Sequence, residues 1–193
     1  MKNLFISRRE RIILGAVEII DRLGLQGLST KELAKNQGVT EGALYKHFKS
    51  KDEIILAVIE YYSHYDDVII ETIKIKELKS KEAIRFFIQS FAQYYENYPA
   101  ITAIYNSYEF FRQNNDAFEK IKSISNSRSN FIAELVEEGK KSGEFSIELD
   151  GEMLSAVILG LFRETVMKWR MNECKFSLQE KVSSTLEMVF KLV

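Results

Sequence analysis

The chain has 193 residues, 46% apolar and 28% charged, with a net charge of −1, the balance of a soluble globular protein able to bury a substantial core. A single cysteine, Cys174, excludes an internal disulfide and fits a reducing compartment. One proline and nine glycines leave long helices few breakers.

The N-terminus "MKNLFISRRERIIL" has no long apolar core and no small-residue cleavage site, so no signal peptide is expected. The most apolar stretch, "MLSAVILGLF" (153–162), is too short to cross a bilayer and runs straight into Arg163 and Glu164. A cytoplasmic location is expected. Charge is unevenly spread: residues 1–50 hold nine Lys/Arg against five Asp/Glu, which leaves the remainder net acidic. An anionic partner is therefore expected for the N-terminal quarter alone.

In chain order, the first helix is expected over about 8–23, with Ile12, Ile13, Ala16, Ile19, Ile20 and Leu23 on one stripe and Gly24 and Gly27 ending it. Short helices follow from Ser29 to about Asn36 and from Thr40 to about Phe48. Ser50 caps a long helix reaching Ile75, with Ile54, Val58, Tyr61, Tyr65, Val68 and Ile69 at three- and four-residue steps. The next runs from about Ser80 to Asn97 and stops before Pro99, because the residue preceding proline leaves the helical region. Others cover roughly 100–113 and 115–141, the latter with Lys140 and Lys141 at its negative end and Gly143 as stop. Asp150 caps a helix to about Met171, and Ser177 caps the last.

Four of these helices open on Ser-x-x-Glu: Ser7/Glu10, Ser29/Glu32, Ser50/Glu53 and Ser177/Glu180. In that pattern the hydroxyl accepts from a free N–H and the carboxylate can reach back. Period-2 alternation bounded by turns is essentially absent. The expectation is an all-α protein of about nine helices: a three-helix N-terminal head and a larger helical body.

Residues 29–48, "STKELAKNQGVTEGALYKHF", place two short helices around a glycine-containing turn, the helix-turn-helix arrangement. Leu33, Val39 and Leu44 are apolar where the helices face each other, and Ala34 is small where they approach closest. Gly38 supplies the turn conformation, and Thr40 caps the second helix.

The 32 residues "GLSTKELAKNQGVTEGALYKHFKSKDEIILAV", behind an amphipathic first helix, resemble the tetracycline-repressor (TetR) family of bacterial transcriptional regulators. The pattern GVT-x-G-x-LY-x-HF-x-x-K within them is far more specific than a generic helix-turn-helix. The resemblance implies residues 1–51 as DNA-binding domain and 52–193 as effector-binding and dimerisation domain. It also implies Thr30, Lys31, Thr40, Tyr45, Lys46, His47 and Lys51 as DNA contacts, although the position of Lys46 is often aromatic in the family.

A two-turn helix fits a major groove about 12 Å wide, its first residues nearest the bases. Glu41, Gly42 and Ala43 occupy that tip. Gly42 and Ala43 permit close approach. Glu41 either accepts from cytosine N4 or serves as a first-turn acid favouring the helix dipole. Tyr45, Lys46 and His47 spread around the exterior as phosphate or base donors, while Leu44 and Phe48 face inward.

In the body, the last two helices read as the family's dimer pair, with Leu154, Val157, Ile158, Leu161, Leu186, Val189 and Phe190 as interface candidates and Gly160 allowing close approach. Twelve aromatics crowd the centre of the chain. Phe87, Phe91, Tyr94, Tyr105, Tyr108, Phe111 and Phe131 are candidates for an apolar effector pocket, with Asn106, Ser107, Glu109, Arg112 and Gln113 among the polar residues between them. Arg163, Trp169 and Arg170 serve either an anionic group or dimer and surface contacts. His64, Asp66 and Asp67 read as a solvated, ion-paired face rather than a metal site. No catalytic constellation, phosphate loop or metal-ligand cluster appears, so neither enzyme activity nor a cofactor is expected. The function expected is a ligand-responsive homodimeric regulator, repression being the family's usual mode. It would bind a palindromic operator in double-stranded DNA and leave it on binding a largely apolar small molecule. The other non-enzymatic reading is an all-helical protein-interaction module.

Overall fold

The computed structural model describes residues 6–105, 107–112 and 114–193, the side chains of Tyr105 and Tyr108 excepted. Asn106, Gln113 and the pocket roles expected of the Tyr105 and Tyr108 side chains therefore lie outside the described residues. Among the described residues there are eleven α-helices and one 3₁₀ turn, and no strand.

The four serine caps form as the sequence predicts. Ser7, Ser29, Ser50 and Ser177 accept from the N–H groups of Glu10, Glu32, Glu53 and Glu180 at 3.1, 3.1, 3.1 and 3.2 Å. At the third cap, Glu53 also reaches back, accepting from the Lys49 N–H at 2.6 Å. Such caps stabilise a helix start by roughly 1 kcal/mol each.

Two compact units divide the chain: the described part of Met1–His64 with Ala100–Ser123, and Tyr65–Pro99 with Ile124–Val193. In the first, α1 (Arg8–Gly27) packs on α2 (Thr30–Asn36), α4 (Lys51–Ser63) and α7 (Thr102–Tyr105), and α2 packs on α3 (Glu41–Leu44). Gly24, at φ +72°, interrupts α1, so the regular helix ends at Leu23 as expected. Leu23 itself is 44% exposed and not on the buried stripe. The turn at Gly24 brings Leu25 and Leu28 into the core in its place.

In the second unit, α6 (Ser80–Asn97) packs on α5 (Asp66–Ile75) and α11 (Leu178–Leu192), and α10 (Gly151–Met171) packs on α11. Ser155 of α10 also donates to the Ser129 carbonyl of α9 (Asn115–Ser142) at 2.8 Å. Ile84, Phe87, Ile88, Phe91 and Tyr95 line the buried side of α6. Each such side chain contributes about 1.5–3 kcal/mol by burial.

Two expected helices are divided. The helix predicted from Ser50 to Ile75 breaks after Ser63 and restarts at Asp66. At the break the His64 N–H bonds to the Tyr61 carbonyl, three residues back, at 3.4 Å, the tighter turn that ends the α4 ladder. The Ser63 hydroxyl donates to the carbonyls of Ile59 and Glu60 at 3.4 and 3.3 Å. The His64 ring stacks on Tyr61 at 4.6 Å, and His64 Nδ1 lies against the Tyr61 carbonyl. The break also leaves Tyr65 and Val68 exposed, so the buried stripe of α4 runs through Ile54, Val58 and Tyr62.

The segment 100–113 is likewise not one helix but a 3₁₀ turn, Pro99–Ile101, followed by α7 and α8 (Tyr108–Phe111). Between them the Ser107 N–H bonds to the Ile104 carbonyl at 3.1 Å, a tighter turn than an α-helix makes, and its hydroxyl donates to the Ala103 carbonyl at 2.7 Å.

Candidate nucleic-acid interface and effector cluster

The helix-turn-helix is built from the residues that sequence reasoning singled out. Leu33, Ala34, Leu44 and Phe48 are buried, fixing α2 and α3 against the core. Gly38 sits at φ +62°, a left-handed position that costs a residue with a Cβ about 1 kcal/mol or more. The following Val39 N–H returns to the Ala34 carbonyl at 2.9 Å, and Thr40 Oγ1 accepts from the Ala43 N–H at 3.2 Å. Regular helix covers only Glu41–Leu44, shorter than the expected 40–48. Helical hydrogen bonds nevertheless continue, from the Tyr45 N–H to Glu41 and from the Phe48 N–H to Leu44 at 3.1 and 3.0 Å.

With the apolar side chains turned inward, Lys31, Thr40, Glu41, Gly42, Tyr45, Lys46 and Lys51 are exposed, and Thr30, Ala43 and His47 are half-buried. Tyr45 is 52% exposed. At Gly42 an added Cβ would meet only Thr40 Oγ1, at 3.9 Å, so the tip of α3 is open. Glu41 is engaged within the motif, its Oε2 accepting from Thr30 Oγ1 at 2.6 Å. An exposed Arg22–Glu32 ion pair at 3.2 Å ties α1 to α2.

Arg9 was missed by sequence reasoning. Its guanidinium lies 4.7 Å from the centre of the Phe48 ring, which sets an exposed cation beside the end of the motif. The cluster Arg8, Arg9 and Arg11 at the start of α1 was the available signal.

In the second unit, four of the expected pocket residues come together. Phe87 meets Phe91 and Phe131 at centroid distances of 5.0 and 5.2 Å. Tyr95 joins Phe91 to Tyr94 at 6.3 and 5.8 Å. Phe111 does not join them. It is buried in the first unit, where it lines a cleft of about 330 Å³ with Leu25, Lys51, Ile55 and Phe110.

Set into this aromatic wall is Arg128 of α9, the one buried charged residue among the described residues. Its Nε and Nη2 donate to the two carboxylate oxygens of Asp66 at 2.7 and 2.8 Å, and its guanidinium lies 4.3 Å from the centre of the Phe91 ring. Asp66 is thus ion-paired, but its side chain is only 13% exposed and the expected solvated face is not its setting. Among the described residues, no group of three or more His, Cys, Asp or Glu side chains is placed to hold a metal.

A family model described as bacterial regulatory proteins of the tetR family matches residues 12–58, and one described as YsiA-like protein, C-terminal region, matches 60–192. The chain belongs to the TetR family. Its members are DNA-binding transcriptional regulators and not enzymes, and they respond to small-molecule ligands.

This TetR-family regulator is 28% identical over 180 residues to the fatty acid metabolism regulator protein of Bacillus subtilis, covering 93% of this chain and 92% of that one. It is 26% identical over 175 residues to the nucleoid occlusion factor SlmA of Vibrio cholerae, covering 90% and 89%. The solved structure of FadR from Bacillus subtilis in complex with stearoyl-CoA superposes with a TM-score of 0.81 at 27% identity, covering 95% of this chain and 98% of that one.

In the TetR-family regulator, most of the expected interface residues are used inside the chain. Leu154, Ile158, Leu186, Val189 and Phe190 are buried, while Leu161 is half-buried and Val157 is 50% exposed. α11 is drawn onto α6 by an Arg85–Glu187 ion pair and a Gln89–Ser183 hydrogen bond of 3.0 Å. That ion pair raises the Arg85 pKa and lowers that of Glu187. The exposed apolar stripe runs instead through Met153, Val157, Met167 and Met171 of α10 and Met188 and Leu192 of α11. No helix among the described residues is long and apolar enough to cross a membrane.

Proposed function

We propose that the chain is a cytoplasmic, homodimeric repressor that holds a palindromic operator and releases it when a long-chain acyl compound binds. One observation carries the DNA-binding half: Tyr45 and Lys46 are exposed, and His47 half-exposed, in the turn that continues α3, whose flanking apolar residues, Leu44 and Phe48, are already buried. The small residues Gly42 and Ala43 at its tip suit a groove floor, and Lys31, Lys51 and Arg9 suit the flanking phosphates. Residues 1–51 form the DNA-binding region and 52–193 the region that binds effector and partner copy.

The aromatic cluster of Phe87, Phe91, Tyr94 and Phe131 supports an apolar effector, and the stearoyl-CoA complex of the FadR relative supports an acyl chain as its body. The exposed stripe on α10 and α11 supports a two-fold dimer, which presents two recognition helices to half-sites about 34–36 Å apart.

Fluorescence anisotropy with DNA flanking the protein's own gene tests both halves. Salt-dependent binding to a palindrome, reversed by micromolar dodecanoyl-CoA, is the expected result. Failure to bind any flanking duplex at low salt overturns the DNA reading. Binding that no acyl compound reverses overturns the effector reading.

A further inference from the structure

We propose that Arg128 anchors the anionic group of the effector and that Asp66 is the internal carboxylate which the effector displaces. The inference rests on the reading of an acyl-type effector and assigns that site its polar contact. Arg128 presents one hydrogen-bonding edge, Nε and Nη2, to both oxygens of Asp66, and the face of its guanidinium to Phe91. An incoming anion that takes this side-on bidentate edge displaces Asp66 from it. Phe91 leads directly to Phe87 and Phe131, so the cation stands where a ligand packed on those rings would bring its head.

A buried ion pair contributes little net stability beside an apolar pair of the same shape, yet removing one partner is costly. Exchange of one anion for another avoids that cost, because Arg128 is never left buried without a counter-charge. The displaced Asp66 loses little. It lies in the first turn of α5, where the free N–H groups of a helix start favour a carboxylate, and a short movement brings it to water. The ligand is therefore an amphiphile, with an apolar chain for the rings and a carboxylate or phosphate for Arg128.

Exchange also has a route to DNA. Asp66 ties the first turn of α5 to α9 across 62 residues of sequence. Only His64 and Tyr65 separate α5 from α4, and the opposite end of α4 begins at Lys51 beside its Ser50 cap. An effector that holds Arg128 frees this turn. Its preference for the freed state is the free energy available to shift the regulator off its operator.

Calorimetric titration of the full chain with dodecanoate, dodecanoyl-CoA and dodecanol, beside operator binding, tests the exchange. Wild-type protein should prefer the anions to the alcohol, and whichever anion is favoured identifies a carboxylate or a phosphate head. Asp66→Asn should bind the favoured anion ~10-fold tighter or more, bind dodecanol unchanged, and hold the operator more weakly without ligand. Arg128→Met should lose the preference for anions, while Arg128→Lys should keep it in weaker form. Thermal melts establish folding, and Asp66→Asn and Arg128→Lys suffice if Arg128→Met does not fold. If acyl compounds release the wild type but Asp66→Asn binds the anion no tighter and the Arg128 variants prefer anions as strongly as the wild type does, the exchange fails alone. If no acyl compound binds the wild type, the effector reading fails and takes the exchange with it.

Discussion

The Thr30 hydroxyl donates to Glu41 Oε2 at 2.6 Å, joining the first residue of α2 to the first residue of α3. This contact bears on the two roles open to Glu41 from sequence. A carboxylate oxygen already accepting from Thr30 aligns the recognition helix with its support, and that task does not select a base. Glu41→Gln preserves an oxygen for Thr30 and removes a negative charge from the tip proposed to enter the groove. The expected outcome is unchanged base preference, with affinity for all sequences raised about 2- to 5-fold, in the range of a lost exposed charge interaction. Selection from a randomised operator library measures it. Loss of preference at a single cytosine position would show that Glu41 reads a base.

Lys46 and Lys51 are both exposed, and the two differ in what they cost the fold. Lys51 stands in the first turn of α4, where a cation opposes the helix dipole by about 0.3–1 kcal/mol. Its placement therefore makes sense for a ligand-facing charge and not for helix stability. Lys46→Ala and Lys51→Ala should each weaken binding to every sequence and reduce the slope of log K against log salt by about 1. Lys191→Ala, exposed near the end of α11, should leave the slope unchanged. Thermal melting should show Lys51→Ala at least as stable as the wild type.

Local chemistry was legible in the sequence where it acts within a few residues. The serine caps, Gly38, the inward Leu33, Leu44 and Phe48, and the stop before Pro99 all follow from rules spanning one turn. The division at His64 was hidden because neither glycine nor proline marks it. The chain turns there through a bond from the His64 N–H to the Tyr61 carbonyl three residues back, with the His64 ring stacked on Tyr61. The Arg128–Asp66 pair joins residues 62 apart, beyond the reach of periodicity. Periodicity also failed to choose between the two faces of α10, since a helix apolar nearly all round offers Leu154 and Ile158 as readily as Met153 and Val157.

Glu96 makes α11 sensitive to acid. Burial acts to raise its pKa, but hydrogen bonds from the Gln179 side chain, the Gln179 N–H at 3.0 Å and the Ser177 hydroxyl at 3.2 Å outweigh it and hold the carboxyl below its ordinary 4.5. A carboxyl with a depressed folded pKa adds stability that is fully present above its unfolded pKa. That contribution is lost as pH falls through the folded pKa. Melting temperatures of wild type and Glu96→Gln, measured from pH 7 to pH 3, should differ by a constant amount above about pH 5.5 and converge below about pH 4.5. A difference that is flat over the whole range would mean that Glu96 carries no stabilising charge at the α6–α11 contact.

Val157 and Leu154 lie three residues apart on α10 and separate association from folding. Val157 is 50% exposed and Leu154 only 4%, so a dimer formed through the outer stripe uses the first and spares the second. Gly160 continues that stripe: it is exposed, and an added Cβ would meet nothing within 4 Å, which leaves room for a partner helix to approach. Val157→Asp places a charge in the centre of the stripe, where an interface would leave it desolvated and unpaired. Sedimentation at micromolar concentration should find wild-type dimers and Val157→Asp monomers of unchanged melting temperature. Operator affinity should fall with the loss of the second recognition helix. Leu154→Ala should do the reverse, lowering stability by about 2–5 kcal/mol through a core cavity while leaving the folded protein dimeric. If Val157→Asp remains a dimer, the two copies meet through some other surface.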